Sequence, residues 1–458
     1  MSLRYLLSAL LISATIPSSR ADIAAETLAH RPPLGWNSWD CFGSDLNEEQ
    51  FKANVDFMAT RLRQYGWEYV VIDLGWYLDP ALNVVTFKAK RPPQTMDQYG
   101  RLLPDVRKFP SSAGGAGFKP LADYVHSKGL KFGIHIMRGI PWEAVEKRLP
   151  IKGTRHTADE IADFQRLCPW YDGMRGVDTN KPGAQAYYDS IVELYSEWGV
   201  DFIKADDMTR RDYHRGEITA LHQALKRSPR PIVLSLSPGP TPIEELEHLR
   251  QSAQMWRVSS DFWDDWKFVV TSFELARAWQ GKARPGAWPD YDMLPFGKLR
   301  VTGSDDYVAK HLNTTSDKIT NEYSRFTDEE KKTVMTLWCI GRSPLMFGGH
   351  LPETDEFSLS LITNEDALRV NQYSEGNREL RYDGFSSVWV ARDQESGDHY
   401  VALFNLTSEP RRVSFAASEV GIKGRADFKE VWTGARSSGR RVQSVVPARG
   451  ARLYRVAP

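Results

Sequence analysis

The chain has 458 residues, 41% hydrophobic and 26% charged, with 59 basic residues balanced by 59 acidic ones. A formal charge of zero excludes the broad basic surface of a nucleic-acid binder and gives no sign of a polyanionic substrate. The length suits one large globular domain with a smaller one attached. Fifteen Trp and eighteen Tyr supply aromatic faces that either stack on sugar rings or fill cores.

The chain opens on an address. Met1 to Arg4 is a short basic start, Tyr5 to Ile16 is apolar, and Ser19-Arg20-Ala21 sets small residues before a cleavage point at Asp22. Residues 1–21 are expected to be a signal peptide, and the protein to be secreted or periplasmic. The apolar run is too short for a bilayer, so no membrane span is expected. Cys41, Cys168 and Cys339 match neither a disulfide framework nor a zinc motif. One bridge, Cys41 to Cys168, and three buried thiols both remain compatible with them.

Eight strand-like apolar runs follow: Pro33 to Trp39, Tyr69 to Trp76, Lys131 to Gly139, Asp201 to Met208, Pro231 to Gly239, Met255 to Asp261, Arg284 to Met293 and Ser343 to Gly349. Between them lie amphipathic stretches. Phe51, Val55, Met58 and Leu62 fall on one face of a helix over Glu48 to Gln64. Pro120 to Lys128, Ala184 to Trp198 and Glu329 to Leu337 repeat the pattern. This alternation predicts an α/β fold, a (β/α)₈ TIM barrel over residues 27–375. A doubly wound sheet is the rival, but its Gly-rich phosphate turn is missing from Trp36-Asn37-Ser38-Trp39-Asp40. Two connections are long. Trp76 to Lys119 reads as an irregular loop, and Ile140 to Asp178 is placed to shape a pocket on the open face. From about Leu380 the pattern turns to short alternating strands, such as Val388 to Ala391 and Tyr400 to Phe404. Residues 380–458 are expected to be an antiparallel β-sandwich.

A barrel brings its strand ends together. Those ends carry Trp36 and Trp39, Asp73, His135 and Arg138, Lys204, Asp206 and Asp207, Ser235 and Ser237, Arg257, Asp261, Asp264 and Asp265, then Trp288, Asp290, Asp292 and Met293. Acids, a few cations and Trp around one cup suit a neutral polyhydroxylated ligand. Two carboxylates on separate strands are the minimum for a glycosidase. Lys204 would keep Asp206 ionised, and the aromatics around Asp261 would desolvate it and keep it protonated. Oxygen ligation of Ca²⁺ or Mg²⁺ competes for the same acids, without a recognisable loop spacing. Solvated loop acids are the bland account. His135, alone in an apolar strand, reads as a core residue.

These residues resemble glycoside hydrolase family 27, the α-galactosidase and α-N-acetylgalactosaminidase family. Gly35-Trp36-Asn37-Ser38-Trp39 is similar to its opening Gly-Trp-x-x-Trp strand, Tyr69 to Trp76 to its Tyr-x-x-Ile-Asp-Asp-x-Trp, and Ser127 to Ile134 to its Ser-Lys-Gly-Leu-Lys-x-Gly-Ile. Trp198 to Asp206 resembles Trp-Gly-Val-Asp-x-x-Lys-x-Asp, Trp256 to Asp261 Trp-Arg-x-x-x-Asp, and Pro285 to Met293 Pro-Gly-x-Trp-x-Asp-x-Asp-Met. Ser343-Pro344-Leu345 is similar to the last strand. The resemblance implies Asp206 as nucleophile and Asp261 as acid/base of a retaining reaction. It implies no metal and no cofactor. Trp39, Asp73, Lys204, Ser237, Arg257, Asp292 and Met293 are expected around the sugar, with Arg138 or Asp172 supplying contacts from the region after the third strand.

Three departures bear on specificity. The paired Asp-Asp after strand two is Asp73-Leu74, the α-galactosidase Glu after strand five is Ser237, and the nucleophile motif ends Asp206-Asp207-Met208 rather than Asp-Asn/Gly-Cys. The reading is therefore an exported retaining exo-glycosidase of α-galactosidase type acting on terminal α-D-galactosyl residues of oligo- or polysaccharides. An α-N-acetylgalactosaminide, a β-L-arabinopyranoside or another glycoside is the alternative, as is a non-catalytic sugar-binding relative. The partner is a carbohydrate, and the oligomeric state is open.

Overall fold

A computed structural model describes residues 28–81, 91–210, 212–302 and 306–458, so the expected leader lies outside the described residues. Each apolar run yields one parallel strand: β1 (Leu34–Asn37), β2 (Tyr69–Ile72), β3 (Lys131–Met137), β4 (Phe202–Asp206), β5 (Val233–Leu236), β6 (Met255–Arg257), β7 (Trp288–Asp290) and β8 (Leu345–Phe347). They pair in the order β7-β6-β5-β4-β3-β2-β1-β8. The seam closes just beyond β7, where Leu294 forms a parallel bridge with Phe347. Its N–H donates to the Met346 carbonyl at 2.7 Å, and its carbonyl accepts from Gly348 at 2.9 Å.

The strands are buried on both faces, as parallel strands covered by helices must be. Tyr69 and Val71 point inward to meet Phe202, Val233, Met255 and Trp288. Val70 and Ile72 face outward into the larger core beneath the helices. Gly133 belongs to the inward set because a Cβ there would lie 2.8 Å from Val71 and 3.1 Å from Phe202.

The helices that cover the barrel are α1 (Glu48–Phe57), α2 (Lys119–Ser127), α3 (Ala184–Trp198), α4 (Arg215–Arg227), α5 (Leu246–Ser252), α6 (Trp266–Trp279), α7 (Asp328–Gly341), α8 (Glu356–Ile362) and α9 (Glu365–Tyr373). Asn47 and Gln50 form a capping box that starts α1. The helix expected to reach Gln64 changes pitch instead, into a π turn over Met58–Leu62 that keeps Met58 and Leu62 buried.

The region after β3 is folded rather than irregular. Three short strands, Ile140–Pro141, Ala162–Asp163 and Met174–Val177, make a small sheet beside helices Trp142–Glu146 and Ala158–Ile161. All three cysteines are buried and free, so Cys41 and Cys168 are not bridged. Among the described residues no helix is long and apolar enough to cross a membrane.

The C-terminal part is a two-layer antiparallel assembly. Strands β9 (Ser374–Tyr382), β10 (Ser386–Asp393), β11 (His399–Asn405), β13 (Ala426–Glu430), β14 (Arg436–Gly439) and β16 (Ala451–Ala457) form one sheet in the order β9-β10-β11-β16-β13-β14. Strands β12 (Arg411–Ala416) and β15 (Arg441–Val446) form the other. Alternation gives the larger sheet two buried faces. Val388, Val390, Val401 and Leu403 meet Val413, Phe415 and Val442 of the smaller sheet. Trp389, Tyr400, Ala402 and Phe404 join the core of the barrel.

Candidate active site

Two walls face each other across the C-terminal mouth of the barrel. The first is built from β2, β3 and β4. Lys204 and His135 are register partners on adjacent strands. The Lys204 ammonium donates to Asp73 Oδ2 at 2.7 Å, and Asn37 Nδ2 donates to the same oxygen at 2.8 Å. Burial works to raise the Asp73 pKa, but Lys204 and His135 together hold it well below the usual carboxylate range. Asp206, last residue of β4, has its Oδ2 3.2 Å from His135 Nε2 and its Oδ1 2.8 Å from the N–H of Asp207. Here too burial opposes ionisation, and His135, Lys204 and that N–H prevail, so the pKa is lowered.

The second wall comes from β6, β7 and the turns that follow them. One guanidinium, Arg257, is shared between two acids, at 2.6 Å from Asp292 and 3.4 Å from Asp261. Asp290 lies behind, accepting the N–H of Asp292 at 2.9 Å. Burial pushes the Asp292 pKa up to about 7, against Arg257 and with the charges of Asp261 and Asp290. The Asp292 carboxylate also accepts the N–H of Phe262 at 2.7 Å, which ties the acid-bearing turn to β7.

The cavity between the walls holds about 320 Å³ and is lined by Trp39, Asp40, Asp73, Leu74, Trp170, Lys204, Asp206, Arg210, Ser237, Pro238, Arg257, Asp261, Phe262, Trp263, Asp292, Met293 and His311. It is sized for one monosaccharide, with indole faces and hydrogen-bonding groups both present. Among the described residues no group of three or more His, Cys, Asp and Glu is arranged to hold a metal ion.

Comparison with known proteins decides the lineage. A family model for α-galactosidase A matches residues 31–141 and 143–313, and one for the α-galactosidase C-terminal β-sandwich domain matches 383–456. The chain belongs to glycoside hydrolase family 27. A family 27 β-L-arabinopyranosidase of Geobacillus stearothermophilus is 42% identical, covering 95% of this chain and 98% of that one at a TM-score of 0.89. A structure from Bacillus halodurans, proposed to be an α-N-acetylgalactosaminidase, is also 42% identical, covering 93% and 97% at a TM-score of 0.81. The α-galactosidase of Cyamopsis tetragonoloba is 25% identical over 90% of this chain and 82% of its own. The protein is accordingly a glycoside hydrolase.

Against the family 27 pattern, nine of the ten expected site residues, Trp39, Asp73, Lys204, Asp206, Ser237, Arg257, Asp261, Asp292 and Met293, line this cavity. Arg138 does not. It is buried behind Asp206 and spends its nitrogens on Asp207, Glu217 and the Arg166 carbonyl. Asp172 also turns away, to Arg175 at 3.0 Å, and it is Trp170 that reaches the pocket from the region after β3. Lys204 bonds Asp73 rather than Asp206, and the direct partner of Asp206 is His135, so His135 is not a bland core residue. The flanking aromatics do not bury Asp261. Its side chain is 37% exposed, against 16% for Asp206. Asp264 is engaged structurally, in a paired contact with Arg300 at 3.1 Å, and Asp265 caps α6. Asp40 was not singled out from sequence. It lines the cavity, and its Oδ2 has no hydrogen-bond partner among the described residues. Burial, then the nearby charge of Asp292, raises its pKa well above the usual value. Its place next to Trp39 on the β1 turn was the available signal.

Proposed function

We propose that the protein is a retaining exo-glycosidase that releases a terminal β-L-arabinopyranosyl residue from oligo- or polysaccharides. Asp206 attacks the anomeric carbon while Asp261 protonates the leaving oxygen. Asp261 then takes a proton from water as the glycosyl-enzyme is hydrolysed, with net retention. Two environments support these roles. Asp206 is held ionised by His135 and Lys204. Asp261 is more exposed than Asp206, as a group that meets both leaving group and water requires.

The observation that carries the sugar assignment is Leu74, whose side chain occupies the pocket wall where the family pattern has a second carboxylate. β-L-Arabinopyranose has the ring configuration of α-D-galactopyranose without the hydroxymethyl group. An apolar wall suits a bare ring methylene and offers that hydroxymethyl no acceptor. Ser237 supports a small hydroxylated ring too, since its buried Oγ has no partner among the described residues and can meet a sugar hydroxyl. The 42% identity to an arabinopyranosidase points the same way. α-D-Galactosides are the second reading. An apolar pocket rejects an added hydroxyl by only roughly 10²-fold, so slow galactoside cleavage is expected alongside.

A panel of nitrophenyl glycosides tests the assignment. The expected order is β-L-arabinopyranoside above α-D-galactoside, with Leu74→Asp narrowing or reversing it by about 10-fold or more. A wild type that prefers α-galactoside or α-N-acetylgalactosaminide would overturn it. The basic, apolar and small-residue succession over residues 1–21 supports export as a further part of the proposal.

A further inference from the structure

The turn that follows the nucleophile carries a device that the reaction as described does not use. Asp207 sits at φ +59°, in the left-handed region that glycine, asparagine and aspartate enter most readily. Its N–H lies 2.8 Å from Oδ1 of Asp206. The rest of the residue points away from the pocket, onto Arg138. Nε of Arg138 donates both to the Asp207 carbonyl at 3.0 Å and to its carboxylate at 2.9 Å. The backbone N–H of Arg138 donates to the Asp206 carbonyl at 3.0 Å. One residue after β3 therefore grips the chain on both sides of the Asp206–Asp207 peptide.

Arg138 is anchored in turn. It is 2% exposed, and its two terminal nitrogens donate to Glu217 of α4 at 2.7 Å and to the Arg166 carbonyl at 2.8 Å. Glu217 is fixed by the Tyr188 hydroxyl at 2.6 Å and the Val177 N–H at 3.2 Å. All three guanidinium nitrogens are thus used, which a lysine ammonium on a flexible stem would not reproduce.

We propose that Arg138 and Asp207 are positioning residues for the nucleophile: their buried ion pair helps to fix the Asp206–Asp207 peptide, whose N–H lies on the Asp206 carboxylate. The pair stands where the family motif continues Asn/Gly-Cys. Glycine and asparagine share with aspartate the ability to adopt the turn, and only aspartate adds the charge that Arg138 holds. An N–H aimed at a carboxylate favours its ionised form and fixes the direction of its attacking oxygen. The charged and titratable groups around Asp206 are His135 from β3, Asp73 from β2, Lys204 from its own strand, Arg257 from β6, and Tyr77 and Cys168 from the connecting regions. Asp207 completes the set, its pKa pushed up to about 6 by burial and by the charge of Asp206 against the pull of Arg138, and it alone is altered by changing Arg138.

The inference rests on Asp206 being the nucleophile, and the test separates the two. Azide rescue of Asp206→Gly, giving a glycosyl azide, checks the nucleophile alone and leaves Arg138 in place. Arg138→Met, Arg138→Lys and Asp207→Asn are then assayed on the nitrophenyl glycoside that the wild type cleaves best. Thermal unfolding shows which variants are folded. Arg138→Met should lower kcat by about 10- to 100-fold with KM within about 3-fold, and the acid limb of kcat/KM should move to higher pH. Arg138→Lys should recover little of the loss. Asp207→Asn, which can still adopt the turn but lacks the charge that Arg138 holds, should lower kcat in the same sense as Arg138→Met, by about 5-fold or more. If folded Arg138→Met keeps wild-type kcat, or loses activity with the acid limb unmoved, the positioning role is overturned.

Discussion

The two walls of the pocket are built from the same residue types but balanced in opposite ways. On the β2–β4 wall, Lys204 and His135 stand against Asp73 and Asp206, and both acids are pushed toward the ionised form. On the β6–β7 wall, Arg257 alone serves Asp261, Asp290 and Asp292, and burial leaves the Asp292 pKa at about 7 and that of Asp290 raised. One side of the sugar thus meets fixed negative charge, and the other a cluster that retains a proton near neutrality. A double displacement needs that asymmetry. It is set by one wall giving two acids a lysine and an imidazole while the other gives three acids a single guanidinium, not by the acids themselves.

Removing the proposed nucleophile breaks the comparison most severely. Asp206→Asn is expected to cut turnover by roughly 10⁴-fold or more without unfolding the protein. Steady-state rates with circular dichroism check this, and near-normal turnover would end the assignment. Lys204→Met should come next. It leaves Asp73 buried without its ion-pair partner, at a cost of about 3–5 kcal/mol in stability, and it weakens sugar binding as well. Chemical denaturation and KM report the two effects, and a loss confined to one of them would divide the roles given to the pair.

The opposite wall predicts a pH effect. The unfolded chain releases the Asp292 proton near the ordinary carboxylate value, whereas the folded chain keeps it up to about pH 7. Between those values the folded state binds more proton, so its contribution to stability is full below the lower value and is lost as pH rises. The slope is about 1.4 kcal/mol per pH unit. Asp292→Asn should flatten the decline of Tm between pH 4.5 and 7.5, and an unchanged slope would place the proton elsewhere. The smallest effect is expected far from both walls. Arg392 of β10 faces Glu375 of β9 at 3.9 Å with both side chains exposed, and Arg392→Ala should cost about 1 kcal/mol or less and leave kcat unaltered.

The eight barrel strands were legible because each is a short apolar run ending in polar residues, and the strand ends named most of the site. What failed was direction within a strand. His135 looks like a core residue by composition, yet it shares the inward parity of Gly133 and sits two residues nearer the mouth, so alternation places it on Asp206. Arg138 follows β3 closely enough to seem part of the pocket, but its side chain turns back beneath Asp207. Sequence proximity to Asp206 suggested Lys204 as its partner, whereas the paired Asp73 comes from a strand 131 residues away. In the C-terminal part, β10, β11, β12 and β16 carry clear alternation. Strand β14 is short and largely exposed, so it presents no apolar period to read, and in β15 the exposed Val445 breaks the alternation that buries Val442 and Val446.

The large C-terminal sheet has no spare side. One surface is closed by β12 and β15, while the other drives Phe404 edge-on against Phe273 of α6, with ring centres 4.9 Å apart. The connection continues through Thr333 of α7, whose hydroxyl donates to the Arg449 carbonyl at 2.7 Å, and through Trp432, which donates to Thr336 at 3.1 Å. This part of the chain is therefore a keel for the catalytic unit rather than a detachable module. Truncation before Ser374 would strip the apolar backing from α6 and α7 and yield an aggregating barrel.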